Sequence, residues 1–593
     1  MIPSIRKCLI PVILFTFGWF LLVGVACDEK NKRESSEADE AVSAKSAKSG
    51  GESPGSKTPS SAGVLPGDEK AGEKQPEDVG PKAPALFFMA GLKGYLEPCG
   101  CTADVLLGGA ERIAGYAKAA RKLYPATLML DAGDTFFEES EIAKHSVPQA
   151  KARAEVIAEL QKSLRTKFMV PGERDFALGG KFYRRRVEKT HAQLLAANLE
   201  IGGEKLRGSI MRELQNWKVG LIGAVDPELF AEVEGAEATK LSPALKRELE
   251  HLADVRVDAV VVLLHGGLKR AKEILDAHEA VDFVVVGHDP RETDQVDKVG
   301  HGYTLEAYDQ GRYFGVLKLF GRQNDRPYRD ARTGSKAELE KIANQIDHVN
   351  KSIDRLPPSP RGEEPPILKR LRERLRDLKD RRQEIKNSGI EVSETNKSFL
   401  FRPVAMEPGF PIDESIRKKR NAFNRKLEKL SRQVERAVPP VEKGEATYIG
   451  TNQCATCHKE AHDFWQGTRH ATALETLQER NKAWDQNCVG CHVVGYEKPG
   501  GSVLGKLKYE EEIDGSKMTK DLRDVGCENC HGPGSKHRAQ PVDSNGDPQH
   551  IRAGSGRDVC MQCHVQEHSP RFNYGTYVEK ITGEGHRLRS SSE

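Results

Sequence analysis

Four copies of the pentapeptide C-x-x-C-H crowd into residues 454–564. They read CATCH (Cys454, Cys457, His458), CVGCH (Cys488, Cys491, His492), CENCH (Cys527, Cys530, His531) and CMQCH (Cys560, Cys563, His564). Two thiols separated by two residues, with an imidazole directly after them, form the attachment pattern of c-type haem. The thiols add to the vinyl groups and the His reaches the iron. Structural zinc also takes paired C-x-x-C, but it does not require a His after every pair. The repeat therefore implies four covalently held haems. In so short a segment the haems would supply much of the core, so short helices and loops are expected with few strands. Histidine usage agrees, because ten of the 18 histidines lie beyond residue 448. Four follow the thiols. His462, His470, His537, His550, His568 and His586 remain to compete for the far faces of the irons. Imidazole on both faces gives a low-spin iron suited to electron transfer, whereas an open face can bind a small molecule.

The surroundings of these motifs carry a resemblance. FWQGTRHATAL, CVGCHVVGYEKPGG, VGCENCHGPGSKH and CMQCHVQEHSPRFNYGTY resemble the tetrahaem cytochrome c554 family over about residues 448–590. The resemblance implies that His470, His537 and His586 are distal ligands. Three such ligands for four haems would fit one five-coordinate iron.

At 593 residues the chain is too long for one core, so several domains are expected. Net charge is +3, from 91 basic and 88 acidic residues, which gives no argument for nucleic acid as a partner. Residues 1–27 read as a targeting segment. Arg6 and Lys7 precede a long apolar run that ends in GVAC. That ending resembles a bacterial lipoprotein signal with Cys27 as the lipidated residue, although Gly24 stands where Leu is usual. An uncleaved anchor helix is the other reading. Both place the rest on the periplasmic side of a bacterial membrane. Residues 28–83, rich in Ser, Glu, Lys, Gly and Pro, read as a disordered tether.

Residues 326–445 read as a helical arm. Leu339, Ile342, Ile346, Val349, Ile353 and Leu356 alternate spacings of three and four, a coiled-coil seam. PPSPRGEEPP breaks the helix, and Leu368, Leu371, Leu375, Leu378 and Ile385 resume the pattern, with Arg382 interrupting it. A third helix carries Ile416, Phe423, Leu427, Leu430 and Val434, with Asp413 as its cap. A spacer and an oligomerisation arm are both compatible with this pattern.

Residues 84–325 alternate apolar strands with helices, and the strands end in Gly, Asp or His. Such ends suggest a buried sheet with functional loops. Their order resembles the calcineurin-like metallophosphatases of the 5'-nucleotidase branch, which carry D-x-H-G, G-D, G-N-H-D, an isolated His and G-H-x-H. GYLEP, GGAERIAG, LDAGDTFF, AANLE, VGLIGAVDP and GRYFGVLKL match as well. The resemblance implies a β-sandwich flanked by helices and a site that clamps a phosphate between two metals. The ligands are altered. D-x-H-G has become Gly91-Leu92-Lys93-Gly94, G-N-H-D has become Gly172-Glu173-Arg174-Asp175, and G-H-x-H has become Gly287-His288-Asp289-Pro290. What survives, by the resemblance, is one metal position with Asp134, Glu173, His265 and His288 as ligands. Two imidazoles and two carboxylates suit Zn, Mn or Fe. Cys99 and Cys101 lie in the EPCGC loop after the first altered motif, and a similar loop occurs in an exported side-branch of that family. Soft metal ligation, redox activity and a structural role all remain open for them. One intervening residue strains a disulfide between the two.

The expected fold class is thus multidomain α/β plus α. A metallophosphatase-like front domain (84–325) is followed by the helical arm (326–445) and a tetrahaem domain (446–593). The expected function is electron transfer, with redox proteins or quinol-linked enzymes as partners. The front domain would bind a metal, substrate or partner. A working phosphoesterase with an accessory cytochrome is the first alternative, and a non-catalytic scaffold of a respiratory complex is the second.

Overall fold

The computed structural model describes residues 74–77, 82–99, 106–124, 126–322, 327–332, 336–354, 366–388, 397–513, 515–545, 548–552, 554, 556–565, 569, 572–583 and 586. Cys27 with the targeting segment, most of the tether, Cys101 and His568 lie outside the described residues. Of Cys99 only the backbone is described. No helix among the described residues is long and apolar enough to cross a membrane.

Two mixed sheets form the front domain. The first has seven strands, in the order Arg329–Asp330, Ser398–Ala405, Tyr313–Phe320, Ala85–Met89, Thr127–Asp131, Thr166–Met169 and Gln193–Leu194. The second has six, in the order Lys298–Val299, Gly302–Glu306, Phe283–Val286, Ala259–His265, Trp217–Val225 and Ser209–Leu214. The central strands of each sheet run parallel. They are apolar almost throughout because both faces are covered, as in Ala259–His265, where every residue is buried.

The alternation along these strands shows what covers each face. Val219, Leu221, Val261, Leu263, Phe283 and Val285 join the core shared with Phe87, Leu130 and Phe399 of the first sheet. Their neighbours Ile222, Val260, Val262, Leu264, Val284 and Val286 pack with Leu245, Leu252, Ile274 and Leu275 of the helices Leu241–Asp254 and Leu268–Ala277. Each such side chain contributes about 1.5–3 kcal/mol relative to exposure. A slip of one residue would exchange the two faces, so register is strongly specified.

The helical arm is where the expected boundaries change. Two helices, Lys336–Asp354 and Pro366–Ser388, pack as a hairpin. Ile342 and Val349 are buried, while Leu339, Ile346 and Ile353 are half-buried. Arg382, which interrupts the apolar pattern, reaches Asp294 of the front domain at 2.8 Å. The chain then returns to the front domain. Ser398–Ala405 pairs antiparallel with Tyr313–Phe320, from Ser398 opposite Phe320 to Ala405 opposite Tyr313. The hairpin is therefore an excursion between strands of one sheet, and residue 325 does not end the front domain. The expected third helix is two, Glu414–Asn424 and Leu427–Ser431. Asp413 caps the first by accepting from the amides of Ser415 and Ile416. Ile416, Phe423 and Leu427 are buried in the front-domain core, so these helices are part of that domain rather than of an arm. Gly115 makes their approach tight, since a Cβ there would lie 2.0 Å from Pro411 O.

Beyond residue 446 the elements are short. Each C-x-x-C-H lies on or directly beside a helix of four or five residues: Thr451–Cys454, Gln486–Val489, Cys527–His531 and Arg557–Cys560. The described sheet structure there is one hairpin, Lys508–Ile513 with Ser516–Asp521. Its apolar clusters are small, the largest being Leu474, Leu477, Val489, Val493 and Leu504.

Candidate functional site

Five loops converge at the carboxyl ends of the parallel strands. Lys93 follows Ala85–Met89, Asp134 follows Thr127–Asp131, and Glu173 follows Thr166–Met169. His265 closes its strand, and His288 follows Phe283–Val286. Asp134, Glu173, His265 and His288 each offer a ligand atom, and all four atoms lie within 4.8 Å of one another. His265 Nε2 is 2.6 Å from Glu173 Oε2 and 3.6 Å from Asp134 Oδ1. His288 Nδ1 is 3.4 Å from Glu173 Oε1 and 3.8 Å from Asp134 Oδ2.

The backbone is shaped to allow this. Gly133 has φ +97°, and a Cβ there would lie 2.4 Å from His265 Nδ1. A Cβ on Gly172 would lie 2.2 Å from Asp134 Oδ1. Lys93, Asp134 and Asp289 all adopt positive φ, at 50°, 51° and 44°. Non-glycine residues adopt this region at a cost, and such strain concentrates at functional sites. Asp175 locks the loops together, accepting from the amides of Thr135, Phe136 and Gly172. Burial, with Asp134 nearby, pushes its carboxyl up to about 8.

The donor set fits a metal ion. Asp134 Oδ2 and His288 Nδ1 are buried with no hydrogen-bond partner, a state that is costly unless something else satisfies them. His265 Nδ1 lies 2.9 Å from Ala132 O and carries the proton, which leaves Nε2 for a metal. His288 Nε2 faces Asp289 at 3.3 Å, which frees Nδ1 in the same way. First-row ions bond such donors at about 2.0–2.2 Å, so enclosing one would draw the wider-spaced donors inward and open the short His265–Glu173 contact. Burial opposes a charge on His265, but Asp134 and Glu173 outweigh it and raise its pKa to about 9. Without metal, a proton on His265 supplies the cation that the two carboxylates demand. Arg174 flanks the cluster, its Nε 3.5 Å from both Asp134 and Glu173. Lys93 does not point at these four residues. Its ammonium is held by Asp309 at 2.7 Å and Asp289 at 3.3 Å.

In the C-terminal domain the imidazoles come in facing pairs. Ring centroids are 6.1 Å apart for His458 and His537, 6.3 Å for His470 and His564, and 6.4 Å for His531 and His586. Two imidazoles bound on opposite sides of one metal, at about 2.0–2.1 Å per bond, put their centroids roughly 6 Å apart. The spacing therefore fits an iron between each pair. Second contacts orient the rings. His492 Nδ1 donates to Ala473 O at 2.6 Å and His531 Nδ1 to Arg552 O at 2.7 Å, and His564 Nδ1 is hydrogen-bonded with Ser569 Oγ at 3.0 Å. Each leaves Nε2 as the ligand atom. Burial lowers the pKa of His458, His470, His564 and His586, which favours the neutral ring that binding to iron requires. The eight thiols of the four motifs are free of disulfides. His462 packs against Trp465, and His550 sits in a turn with φ 58°. Neither forms such a facing pair.

The two regions meet through a polar contact that the motifs alone did not reveal. Asp485, just before the CVGCH helix, is 2.6 Å from Arg153 and 3.0 Å from Lys482. Lys482 also reaches Glu97 at 3.2 Å, and Glu97 is further held by Arg420 and Asn424. Lys482 and Asp485 are buried. Asn487 donates to Glu138, which also accepts from Tyr95. Gln149 bonds Trp484 O at 2.6 Å. Charged residues at loop positions 97 and 138 were the available sequence signal, but their partners lie more than 300 positions away.

Residues 453–532 match the family model for "Cytochrome c554 and c-prime". Cytochrome c-554 of Nitrosomonas europaea is 31% identical over 155 residues, covering 21% of this chain and 61% of that protein. An apyrase of Anopheles gambiae is 26% identical over 301 residues, covering 46% of this chain and 48% of the apyrase. The chain thus spans less than two thirds of each of these relatives. Among solved structures, a 5'-nucleotidase precursor from Thermus thermophilus superposes with TM-score 0.41 at 13% identity, covering 74% of this chain and 87% of that one. The chain is similar to the cytochrome c554 family over residues 453–532, and to an apyrase and a 5'-nucleotidase precursor over longer stretches.

Proposed function

We propose that this chain is an electron-transfer protein with four c-type haems, held at the periplasmic side of a membrane through Cys27 or an N-terminal anchor. Its front domain would hold one divalent ion, Zn, Mn or Fe, on Asp134, Glu173, His265 and His288. What binds there would be presented to the haem of Cys488, Cys491 and His492. The metal would supply Lewis acidity and a coordination site, and the haems one-electron capacity.

One observation carries the coupling. Two loops start at the front site and end on the CVGCH segment. The first runs from Lys93 to Glu97 and on to Lys482. The second runs from Asp134 to Glu138 and on to Asn487. Four residues span at most about 14 Å. Arg153 and Glu97 hold the segment in place, while Ala132 and Asp289 orient the metal-facing imidazoles. Loading a divalent ion should therefore be felt by that haem. At roughly 15–20 Å with an effective dielectric of 20 to 80, two added charges amount to about 0.4–2 kcal/mol. Spectroelectrochemical titration should show one haem potential rising by tens of millivolts on metal loading. Four unmoved potentials would break the reading.

Hydrolysis is the second reading, favoured by the metal cluster and the likeness to an apyrase. Lys93 and Arg174 stand where the resemblance expects a metal ligand and an imidazole. Phosphate release from nucleotides by the metal-loaded chain should therefore be near background. Brisk turnover would favour the hydrolase.

A further inference from the structure

The side-chain contacts of Lys93 are the part of the site that the reading above leaves unused. Its side chain is only 10% exposed, and its partner Asp309 only 12%. Its position is fixed by backbone as well as by charge. Lys93 N donates to Asp134 O at 2.7 Å, and Gly94 N to Thr135 O at 3.0 Å. Gly91 N donates to Gly133 O at 3.0 Å, and Gln310 N to Gly91 O at 2.7 Å. The Lys93 loop is thus zipped to the loop of the ligand Asp134 on one side and to the Asp309 segment on the other. A Cβ on Gly91 would lie 3.0 Å from Asp309 Cβ, so Asp309 is pressed against this loop.

The charges around it sort into two sets. Asp134 and Glu173, with two imidazoles, make the four-atom metal cluster. Asp289 and Asp309 are the other carboxylates whose oxygens reach the site's cations, and both are engaged by the Lys93 ammonium. Asp289 also touches His288 and lies 4.0 Å from Arg174, so this second set adjoins the first. Counting the contacting groups, four carboxylates face the two fixed cations Lys93 and Arg174. With neutral imidazoles, a charge of minus two remains, which one divalent ion cancels.

We propose that Lys93 is a built-in cation that restricts the front site to a single divalent ion. Its ammonium occupies the carboxylates a second ion would need, Asp289 and Asp309, and supplies the charge that ion would bring. This rests on the reading that Asp134, Glu173, His265 and His288 hold a metal.

The test is metal stoichiometry of the full-length, haem-loaded chain with Mn²⁺, by equilibrium dialysis and by the Mn²⁺ EPR signal. Mn²⁺ is chosen because its content is read separately from haem iron. The wild-type chain should bind one Mn²⁺ with the spectrum of an isolated ion. Lys93→Gly suits the positive φ and frees both carboxylates. It should take up a second, weaker Mn²⁺, with the isolated-ion signal broadened by coupling. Lys93→Arg keeps the charge and should remain at one. A wild-type chain with two ions would overturn the proposal, as would Lys93→Gly remaining at one while the wild type also binds one. No Mn²⁺ in any of the three would overturn the one-metal reading itself, which separates the two failures.

Discussion

The haem domain and the front domain hold their chemistry in opposite ways. In the first, thiols and imidazole are adjacent in sequence, and each attachment point is complete within five residues. In the second, four candidate ligands come from positions up to 154 apart, from Asp134 to His288, and the two sheets bring them together. A local motif can work on a domain with little core of its own. A dispersed site needs a scaffold rigid enough to hold strained loops at Asp134 and Asp289.

The largest expected effect breaks this contrast at its root. If the haems are the core of residues 446–583, preventing their attachment should unfold that part alone. The largest described apolar cluster there has five buried residues, whereas the front domain has two large ones. Limited proteolysis of chain made without haem maturation should digest the C-terminal part and spare residues 84–430. Equal protection of both would show that the haems are not needed for the fold.

The joint between the regions comes next. Lys482→Met leaves Asp485 with the Arg153 guanidinium and the Asn487 amide, and Glu97 with Arg420 and Asn424. Removing one partner of a buried ion cluster costs about 3–5 kcal/mol. Chemical denaturation should show the regions uncoupling into two transitions. A single unshifted transition would mean that the contact is dispensable.

The ligands themselves sharpen the comparison. His288→Ala removes one of four donors and should weaken metal binding by at least about 100-fold, about 2.7 kcal/mol. Titration calorimetry on the haem-loaded chain reads this directly. In the haem domain, His470→Ala, His537→Ala and His586→Ala should each turn one iron of four towards high spin and leave the others alone. EPR distinguishes this from general damage, which would alter all of them.

What could be read from the sequence follows the same contrast. The C-x-x-C-H motifs announced their own role, and the strands of the front domain announced a covered sheet by their unbroken apolar runs. The four front-site residues were legible only through resemblance, because no local spacing joins Asp134 to His265. The return of Ser398–Ala405 to the first sheet was hidden, since a strand after a long helical hairpin looks like the end of a domain. Arg382 was visible as a break in the heptad, but its partner Asp294 was not. The locking role of Asp175, and Asp309 and the Glu97–Lys482–Asp485 cluster altogether, escaped the sequence for a shared reason. Each acts through a partner that only the tertiary fold supplies, and a lone charge in a loop is by default read as solvated.

The smallest effect concerns how the joint responds to acid. Burial alone would raise the carboxyls of Asp485 and Glu97, but Lys482 with Arg153 or Arg420 outweighs it and holds both below the usual range. A carboxyl lowered by folding stabilises the folded state above its ordinary value, about 4, and that stabilisation is lost as pH falls through the lowered value. The joint should therefore hold at pH 5 and loosen only well below pH 4. His145, 3.1 Å from Glu497 across the same joint, acts at milder pH. Burial and Arg436 lower its pKa despite Glu497. A histidine lowered by folding resists protonation in the folded state, so stability declines as pH falls below about 6.5. His145 is partly exposed and screened, so this first step should be shallow. Following the denaturation midpoint from pH 7.5 to 5 for the wild-type chain and His145→Gln isolates it, because every other histidine is common to both. The variant should show a flatter profile over that window. Identical slopes would assign the decline to other histidines and leave the joint governed by its buried carboxylates alone.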